Sequence, residues 1–171
     1  MTNKEECNHN SIPESLRKHY TFDDLEEESI KLGTGTFGIV CKIKRKIDNT
    51  ICAIKRVEMY DVYDLYNVLQ EINIMHNLDH DNIIKLLDIY TDKHIDDYIN
   101  HWPKSTFIIM ESCTRNLDDL IKNNLINTNN EYNIISGLLK GLDYMHRIKC
   151  VMHLDLKPDN LLILEDTQNN Y

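Results

Sequence analysis

A polar loop with apolar flanks constrains this chain more than any other stretch. Residues 151–163 read VMHLDLKPDNLLI. Pro158 excludes a regular helix through the polar part and favours an extended conformation at Lys157, because the proline ring clashes with the residue before it. The apolar run that follows Asn160 predicts a short buried strand. Asp155, Lys157 and Asn160 are therefore expected in one loop that leads into a strand.

These three side chains suit phosphoryl transfer. An aspartate can accept a hydroxyl proton, a lysine can neutralise phosphate oxygens, and an asparagine oxygen can bind Mg²⁺. Taken singly, such residues most often form a polar surface turn, but the spacing Asp-x-Lys-Pro-x-Asn is more restrictive. It resembles the catalytic loop of eukaryotic protein kinases, in the Ser/Thr form with a lysine two residues after the aspartate. Leu154 departs from the pattern, since most of the family has arginine there.

Composition limits the class of protein further. The 171 residues are enough for one domain or two small lobes, and the net charge of −9 argues against nucleic acid or an anionic membrane as the main partner. The longest apolar runs fall well short of the roughly 20 residues of a membrane span. The five cysteines lack C-x-x-C spacing, which predicts reduced thiols in an intracellular protein, cytoplasmic or nuclear.

A glycine-rich turn lies in the first third of the chain. Residues 33–38 read GTGTFG and connect predicted strands over 28–32 and 39–47. This pattern alone is weak evidence for a nucleotide loop, and because it joins two strands rather than a strand and a helix, a dinucleotide-binding fold is disfavoured. Its glycines let backbone N–H groups approach phosphates. A third strand over 51–57 carries Lys55 among apolar neighbours, which makes a purely solvent-facing lysine less expected.

Downstream patterns predict two long helices. Apolar residues at spacings of three and four indicate one helix over 61–78 and another over 131–148. Glu71 lies one step from the apolar stripe of the first helix, a position where glutamate is usually solvated. Strands are expected over 83–90 and 106–110, with Thr91–Ser105 as an inserted polar loop between them. Asn116 is expected to cap a short helix over 117–123.

The order of these motifs resembles that of protein kinases over about residues 28–164, most closely in the cyclin-dependent and MAP kinase branch. The resemblance implies an α+β bilobal fold. Residues 21–113 would form the nucleotide-binding upper lobe and hinge, with a five-stranded antiparallel sheet and one helix. Residues 114–171 would form an incomplete, mainly helical lower lobe. Residues 1–20 are polar and have no clear period, which predicts a flexible tail or at most a short helix over 15–20.

The resemblance also assigns roles. It implies transfer of the ATP γ-phosphate to a protein Ser/Thr hydroxyl, with ATP and Mg²⁺ as cofactors and a protein as substrate. Asp155 would orient and deprotonate the hydroxyl, Lys157 would screen the γ-phosphate, and Asn160 would bind Mg²⁺. The implied ATP-binding residues are Gly33, Gly35 and Gly38 at the phosphates, Lys55 with its partner Glu71 at the α/β-phosphates, Val40, Ala53 and Leu162 around adenine, and Glu111 and Cys113 at the hinge.

One departure opens an alternative. The eleven residues after Asn160 contain no Asp-Phe-Gly, whose aspartate is the main Mg²⁺ ligand in the family this chain resembles. We therefore expect little activity from the 171-residue chain, as a truncated or inactive kinase. The alternative function is a pseudokinase or nucleotide-binding interaction module without catalysis. A small-molecule phosphotransferase shares the aspartate and asparagine, but Lys157 and the hinge-like stretch argue against it.

Overall fold

The computed structural model describes residues 12–22, 31–35, 38–92 and 103–164. The chain divides into two compact units. The sheet unit comprises Met1–His76 and Leu86–Ser112, and the helical unit comprises Asn77–Lys85 and Cys113–Tyr171. Among the described residues, none of the helices has the length and hydropathy that a membrane span requires.

An antiparallel sheet forms the centre of the sheet unit. Its six described strands are β1 (Tyr20–Thr21), β2 (Lys31–Gly35), β3 (Gly38–Arg45), β4 (Ile51–Glu58), β5 (Leu86–Thr91) and β6 (Ser105–Glu111). The order is β1-β3-β4-β6-β5, and β2 also pairs with β3. The five predicted strands are all present, which confirms the expected upper sheet, and β1 adds a short sixth. Of the inserted loop predicted between β5 and β6, residues 93–102 lie outside the described residues.

One face of the sheet carries the larger core. Successive residues of a strand point to opposite faces, and alternate residues of β3, β4 and β6 are buried on this side. The cluster consists of Ile12, Leu16, Tyr20, Phe22, Cys41, Ile43, Cys52, Ile54, Phe107 and Ile109. Ile43 and Ile109 are completely buried, so this face of the sheet is shielded from water.

The other face packs against helix α2 (Val62–Asn77). Val68 of this helix is buried in a second cluster with Val57, Met59 and Ile108. Leu65, Ile72 and Met75, on the same helical stripe, are partly buried against it. The helix predicted over 61–78 is therefore confirmed, and its spacing of three and four residues corresponds to the contact with the sheet.

The N-terminal segment is structured from residue 12 onward. Helix α1 (Glu14–Arg17) precedes β1, and β1 pairs with β3 through Tyr20↔Arg45 and Thr21↔Lys44. Of the two possibilities predicted for residues 1–20, the flexible tail is wrong for residues 12–20, and the short helix over 15–20 is confirmed in part by α1. Residues 1–11 lie outside the described residues. The physical reason is burial. Apolar side chains every fourth residue, at 12, 16 and 20, enter the larger core, and this burial offsets the entropy lost on ordering the segment.

The cysteines differ from the sequence-based expectation. Cys41 is disulfide-bonded, and the other half of this bond lies outside the described residues. Cys52 is a buried thiol and Cys150 an exposed one. The prediction that all five cysteines are reduced is therefore wrong for Cys41, and the intracellular localisation that rested on it stays a prediction.

The helical unit contains α3 (Leu117–Lys122), α4 (Thr128–Asp143) and a two-stranded sheet of β7 (Arg115–Asn116) and β8 (Leu162–Ile163). Asn116 caps α3 as predicted: its side chain accepts a hydrogen bond from the backbone N–H of Asp119, and the Asp119 carboxylate accepts one from the N–H of Asn116. Helix α4 continues into a π-helical turn, Tyr144–Ile148. The helix predicted over 131–148 thus begins three residues earlier and changes its hydrogen-bonding pattern near its end.

A polar turn ahead of β5 packs against α4 within the helical unit. The rings of His80 and Tyr144 stack with centroids 4.9 Å apart, and the Tyr144 hydroxyl accepts a hydrogen bond from the N–H of Asp79. A Cβ at Gly141 would lie 3.0 Å from the Asn82 carbonyl oxygen, and one at Gly137 would lie 2.9 Å from its side chain. The two glycines therefore let the 79–82 turn approach the helix closely.

Candidate active site

The glycine loop is a hairpin of β2 and β3. Its last described pair is Gly35↔Gly38, and residues 36–37 at the tip lie outside the described residues. Gly38 has φ +139°, and a Cβ on it would lie 1.9 Å from the carbonyl oxygen of Arg56. No larger residue can occupy this position without moving β3 away from β4. Of the three glycines predicted to contact phosphates, Gly33 and Gly35 lie on β2 and Gly38 opens β3.

Strand register gathers several predicted ATP-binding residues on one face of the sheet. Val40 is opposite Lys55, and Ala53 is opposite both Lys42 on β3 and Met110 on β6. Residues paired directly across an antiparallel ladder share a face, as do alternate residues of one strand. Val40, Ala53, Lys55 and Met110 are therefore on the face opposite the larger core. Glu111, the first predicted hinge residue, ends β6 opposite Cys52.

The predicted ion pair between β4 and α2 is present. Lys55 Nζ donates to Glu71 Oε1 at 2.6 Å. The Lys55 side chain is 16% exposed and that of Glu71 35% exposed, so the pair is partly shielded from water. Such a pair is stronger than one on an open surface, because the effective dielectric constant is lower. The helix thus holds the lysine ammonium in one place on the sheet face that also carries Val40 and Ala53.

In the helical unit, the 151–163 loop has the predicted backbone. Lys157 is extended, with φ −153° and ψ 160°, and Pro158–Asn160 form a single 3₁₀ turn. The chain then enters β8, where Leu162 pairs with Asn116. The N–H and hydroxyl of Thr114 both donate to the carbonyl oxygen of Ile163. Proline placed at the start of this turn ends the extended segment and returns Asn160 toward Asp155.

Asp155 is the centre of this loop. Lys157 Nζ lies 3.0 Å from Asp155 Oδ2. Asn160 Nδ2 donates to the same oxygen at 2.9 Å and to the Asp155 backbone carbonyl at 2.8 Å. The Asp155 side chain is 66% exposed. One carboxylate oxygen is therefore fixed by two donors, while the group as a whole remains open to a reactant.

These contacts also affect acidity. The hydrogen bond from Lys157, followed by that from Asn160, lowers the pKa of Asp155 below its ordinary value. Hydrogen bonds to the ionised form favour that form, so the carboxylate is charged near neutral pH. An ionised, oriented carboxylate that remains exposed can accept a hydrogen bond from a hydroxyl group.

A strained residue precedes Asp155. Leu154 has φ +60°, in the left-handed region that leucine rarely occupies, and its side chain is 86% exposed. The N–H of Asp155 donates to the carbonyl oxygen of His153 at 2.9 Å, which closes a three-residue turn around Leu154. No sequence signal pointed to this turn. In the sequence, Leu154 stands out only as a departure from the usual arginine.

The structure thus brings the predicted residues together in separate groups. Lys55 contacts Glu71, and Val40, Ala53 and Lys55 share a face of the sheet unit. Asp155, Lys157 and Asn160 form one cluster in the helical unit, which also contains Leu162 and the half-buried Cys113. The catalytic, ATP-binding and metal-binding roles of these residues stay predictions at this point.

The side chain of Asn160 leaves one oxygen available for a cation such as Mg²⁺. Both hydrogen bonds of its side chain come from Nδ2 and go to Asp155. Its Oδ1 atom takes no part in these bonds, and hard divalent cations prefer amide and carboxylate oxygens as ligands. The amide oxygen of Asn160 therefore suits such an ion, as one of the six ligands that octahedral Mg²⁺ requires.

Comparison with known proteins agrees with this architecture. Residues 27–170 match the protein kinase domain family, and the chain therefore belongs to the protein kinase family. It is 31% identical over 150 residues to calcium-dependent protein kinase 5 of Plasmodium falciparum, an alignment that covers 86% of the chain and 24% of that relative. Cyclin-dependent kinase 9 of Danio rerio is 33% identical over 144 residues, with 82% of the chain and 38% of the relative covered.

Mitogen-activated protein kinase sma-5 of Caenorhabditis elegans is 34% identical over 169 residues, which are 92% of the chain and 32% of the relative. The chain spans 24% to 38% of the length of these three relatives. The names of the last two relatives, a cyclin-dependent and a mitogen-activated protein kinase, match the branch that the sequence resembles most, whereas the first is named a calcium-dependent protein kinase.

Proposed function

We propose that this chain carries the nucleotide-binding unit and catalytic loop of a serine/threonine protein kinase, which transfers the γ-phosphate of ATP to a protein hydroxyl. The observation that carries the proposal is the cluster of Asp155, Lys157 and Asn160, in which two donors fix one oxygen of an exposed, ionised carboxylate. Membership of the protein kinase family supports the same reaction.

Asp155 is the residue that receives the substrate hydroxyl. Its lowered pKa keeps it ionised, so it accepts a hydrogen bond from the hydroxyl and orients the oxygen for attack. It then accepts the proton as the new O–P bond forms, while the bond from the γ-phosphorus to the bridging oxygen of the β-phosphate breaks and ADP leaves with that electron pair. Lys157 is exposed beside it and supplies positive charge toward the transferred phosphoryl group. This lysine favours Ser/Thr over Tyr as the acceptor, in line with the loop sequence.

The sheet unit is proposed to bind ATP. Lys55, held by Glu71, places a positive charge for the α- and β-phosphates, and the glycine hairpin places backbone N–H groups near them. Val40 and Ala53 supply an apolar surface for adenine on the same face of the sheet. Leu162 is proposed as a further adenine-binding residue. Backbone groups of Glu111 and Cys113 are proposed to recognise the adenine edge.

Mg²⁺ is proposed as the metal cofactor, with the amide oxygen of Asn160 as one ligand. When bound, the ion neutralises phosphate charge. The hydrogen bonds from Asn160 Nδ2 to Asp155 orient the amide so that its oxygen points away from the aspartate. Asn160 thereby links the position of the metal ligand to that of the hydroxyl-binding carboxylate.

Two measurements on the purified chain test this function. Mg-ATP binding is measured by calorimetry for the unaltered chain, for Lys55→Met and for the exposed control Lys122→Met. Phosphate transfer to a generic protein substrate is measured for the unaltered chain, Asp155→Asn and the matched control Asp159→Asn in the same loop. We expect binding that Lys55→Met weakens at least tenfold and any transfer to be lost in Asp155→Asn, while both controls leave their readouts unchanged.

The outcomes separate the two functions. Binding without transfer supports the alternative, a nucleotide-binding module without catalysis. Transfer that persists in Asp155→Asn contradicts the assigned role of this residue. Absence of Mg-ATP binding in a folded chain contradicts the proposed nucleotide site.

A further inference from the structure

The segment of residues 12–22, here called the N-terminal strap, precedes the part of the chain that matches the kinase family, which begins at residue 27. It nevertheless contributes four of the ten buried residues of the larger described core, Ile12, Leu16, Tyr20 and Phe22. Leu16 is completely buried, and Tyr20 is 2% exposed. The strap is therefore an integral part of the sheet unit.

The strap and β2 pair with the same edge of β3, at different positions along it. β4 pairs with β3 over Ile39–Lys44 and so occupies one edge of that strand. The other edge is taken by β2 from Gly38 to Cys41 and by β1 at Lys44 and Arg45. The strand that carries the second half of the glycine loop is thus paired on this edge by two segments, one of them the strap.

Tyr20 connects this edge to the opposite end of the sheet. Its hydroxyl donates to Asp88 Oδ2 on β5 at 2.6 Å. Its ring meets that of Tyr90, also on β5, edge to face with centroids 6.1 Å apart. In the sheet order, β4 and β6 separate β3 from β5. The Tyr20 side chain therefore ties the two ends of the sheet across its core face.

Further polar contacts fix the strap to the turn after β3. The Lys46 N–H donates to the carbonyl oxygen of His19 at 2.8 Å, and Lys46 Nζ donates to that of Arg17 at 2.7 Å. Arg17 Nε donates to the carbonyl oxygen of Ile12 at 3.1 Å. Burial and the Asp88 carboxylate raise the pKa of Tyr20 above its ordinary value, so its hydroxyl stays protonated as a donor at neutral pH.

We propose that Tyr20 is a positioning residue for the nucleotide site. It lies on β1, which pairs with β3, and by its bond to β5 it fixes the positions of β3 and β5 relative to each other. Through β3 it positions the backbone of the glycine hairpin. The nucleotide part of this inference rests on the proposed function. Release of the strap would free the edge of β3 at Lys44 and Arg45 and let the hairpin move. A nucleotide that needs the hairpin in one place then binds more weakly.

The test uses the full chain with three substitutions. Tyr20→Phe removes the hydroxyl and keeps the ring in the core. Asp88→Asn keeps an oxygen that can accept from Tyr20. Tyr63→Phe is the matched control, since this tyrosine is 75% exposed on α2 of the same unit. Amide hydrogen exchange reports the β1–β3 and β2–β3 edges separately, and calorimetry gives the dissociation constant for Mg-ATP.

For Tyr20→Phe we expect exchange to rise about tenfold at both edges and the Mg-ATP dissociation constant to rise about three- to tenfold. Asp88→Asn should stay within about twofold of the unaltered chain in both readouts, and Tyr63→Phe should change neither. Coupling is reciprocal, so saturating Mg-ATP should slow exchange at Thr21 and Lys44 by the factor by which strap release weakens binding.

Faster exchange confined to β1, with the hairpin edge and the affinity unchanged, overturns the proposal. So does a nucleotide that binds without slowing exchange at β1. If the unaltered chain binds no Mg-ATP, the proposed function fails, and the exchange data still decide whether Tyr20 controls the hairpin edge.

Discussion

The two units of this protein hold their functional residues in different ways. The sheet unit fixes Lys55 and the glycine hairpin on strands whose opposite face carries the larger core, with Ile43 and Ile109 inaccessible to water. In the helical unit the 151–163 loop is exposed, and Leu154 and Met152 are 86% and 69% exposed. Hydrogen bonds around Asp155, rather than burial, hold this loop in place. Packing thus holds the proposed functional residues of the sheet unit in place, and local polar contacts hold those of the helical unit.

The largest expected effect tests the role of packing. Phe107→Ala removes a ring that is 1% exposed in the larger core and should cost about 3–5 kcal/mol of unfolding free energy. Ile135→Ala, at a position 49% exposed on α4, should cost less than about 1 kcal/mol. Urea unfolding followed by circular dichroism measures both. Similar losses for the two variants would contradict the difference drawn between the units.

The second-largest loss of unfolding free energy is expected from a backbone clash in the sheet unit. Gly38→Ala places a methyl group 1.9 Å from the Arg56 carbonyl oxygen at a φ of +139°. We expect a loss well above about 1 kcal/mol, since neither the conformation nor the space suits alanine. Gly33→Ala, on β2 of the same hairpin, is the comparison. The prediction is wrong if the denaturation midpoint of Gly38→Ala equals that of the unaltered chain.

A substitution in the helical unit, in contrast, should increase the free energy of unfolding. Cys150 has φ +54°, lies two residues after the end of the π-helical turn and is exposed. The left-handed conformation costs an L-residue about 1–2 kcal/mol, and glycine gives back about 0.4–1 kcal/mol through its freer unfolded chain. Cys150→Gly should therefore stabilise by about 0.5–1 kcal/mol. Thermal unfolding of Cys150→Gly is compared with that of Cys150→Ser, which keeps the left-handed strain. Equal stability of the two variants would contradict the prediction that Cys150 is strained.

The smallest effect concerns protonation of Asp155 in the 151–163 loop. The folded pKa of Asp155 lies below its unfolded value, so its contacts contribute stability above the ordinary pKa of an aspartate, and that contribution is lost as the pH falls through the folded pKa. In carbon-13 NMR titrations, Lys157→Ala and Asn160→Ala should each raise the pKa of Asp155, with Lys157→Ala having the larger effect. Asp159→Asn should leave it unchanged. An unaltered pKa in both loop variants would show that these donors do not hold the carboxylate.

Much of the fold followed from local sequence patterns. Apolar spacing predicted helix α2, Asn116 predicted the cap of α3, and Pro158 predicted the extended Lys157, since each of these depends on neighbours within a few residues. Motif order predicted the Lys55–Glu71 ion pair, although the two residues are sixteen positions apart.

Other features required the tertiary structure. Residues 12–20 lack a long periodic pattern, and their order comes from a core built by strands that lie far along the chain. The Tyr20–Asp88 hydrogen bond joins residues 68 positions apart, so no local signal reveals it. The left-handed Leu154 is also invisible in sequence, because leucine seldom adopts that conformation and the surrounding loop imposes it. The sequence by itself determined the chemistry of the loop and the periodic elements, whereas the packing of distant segments decided which residues hold those elements in place.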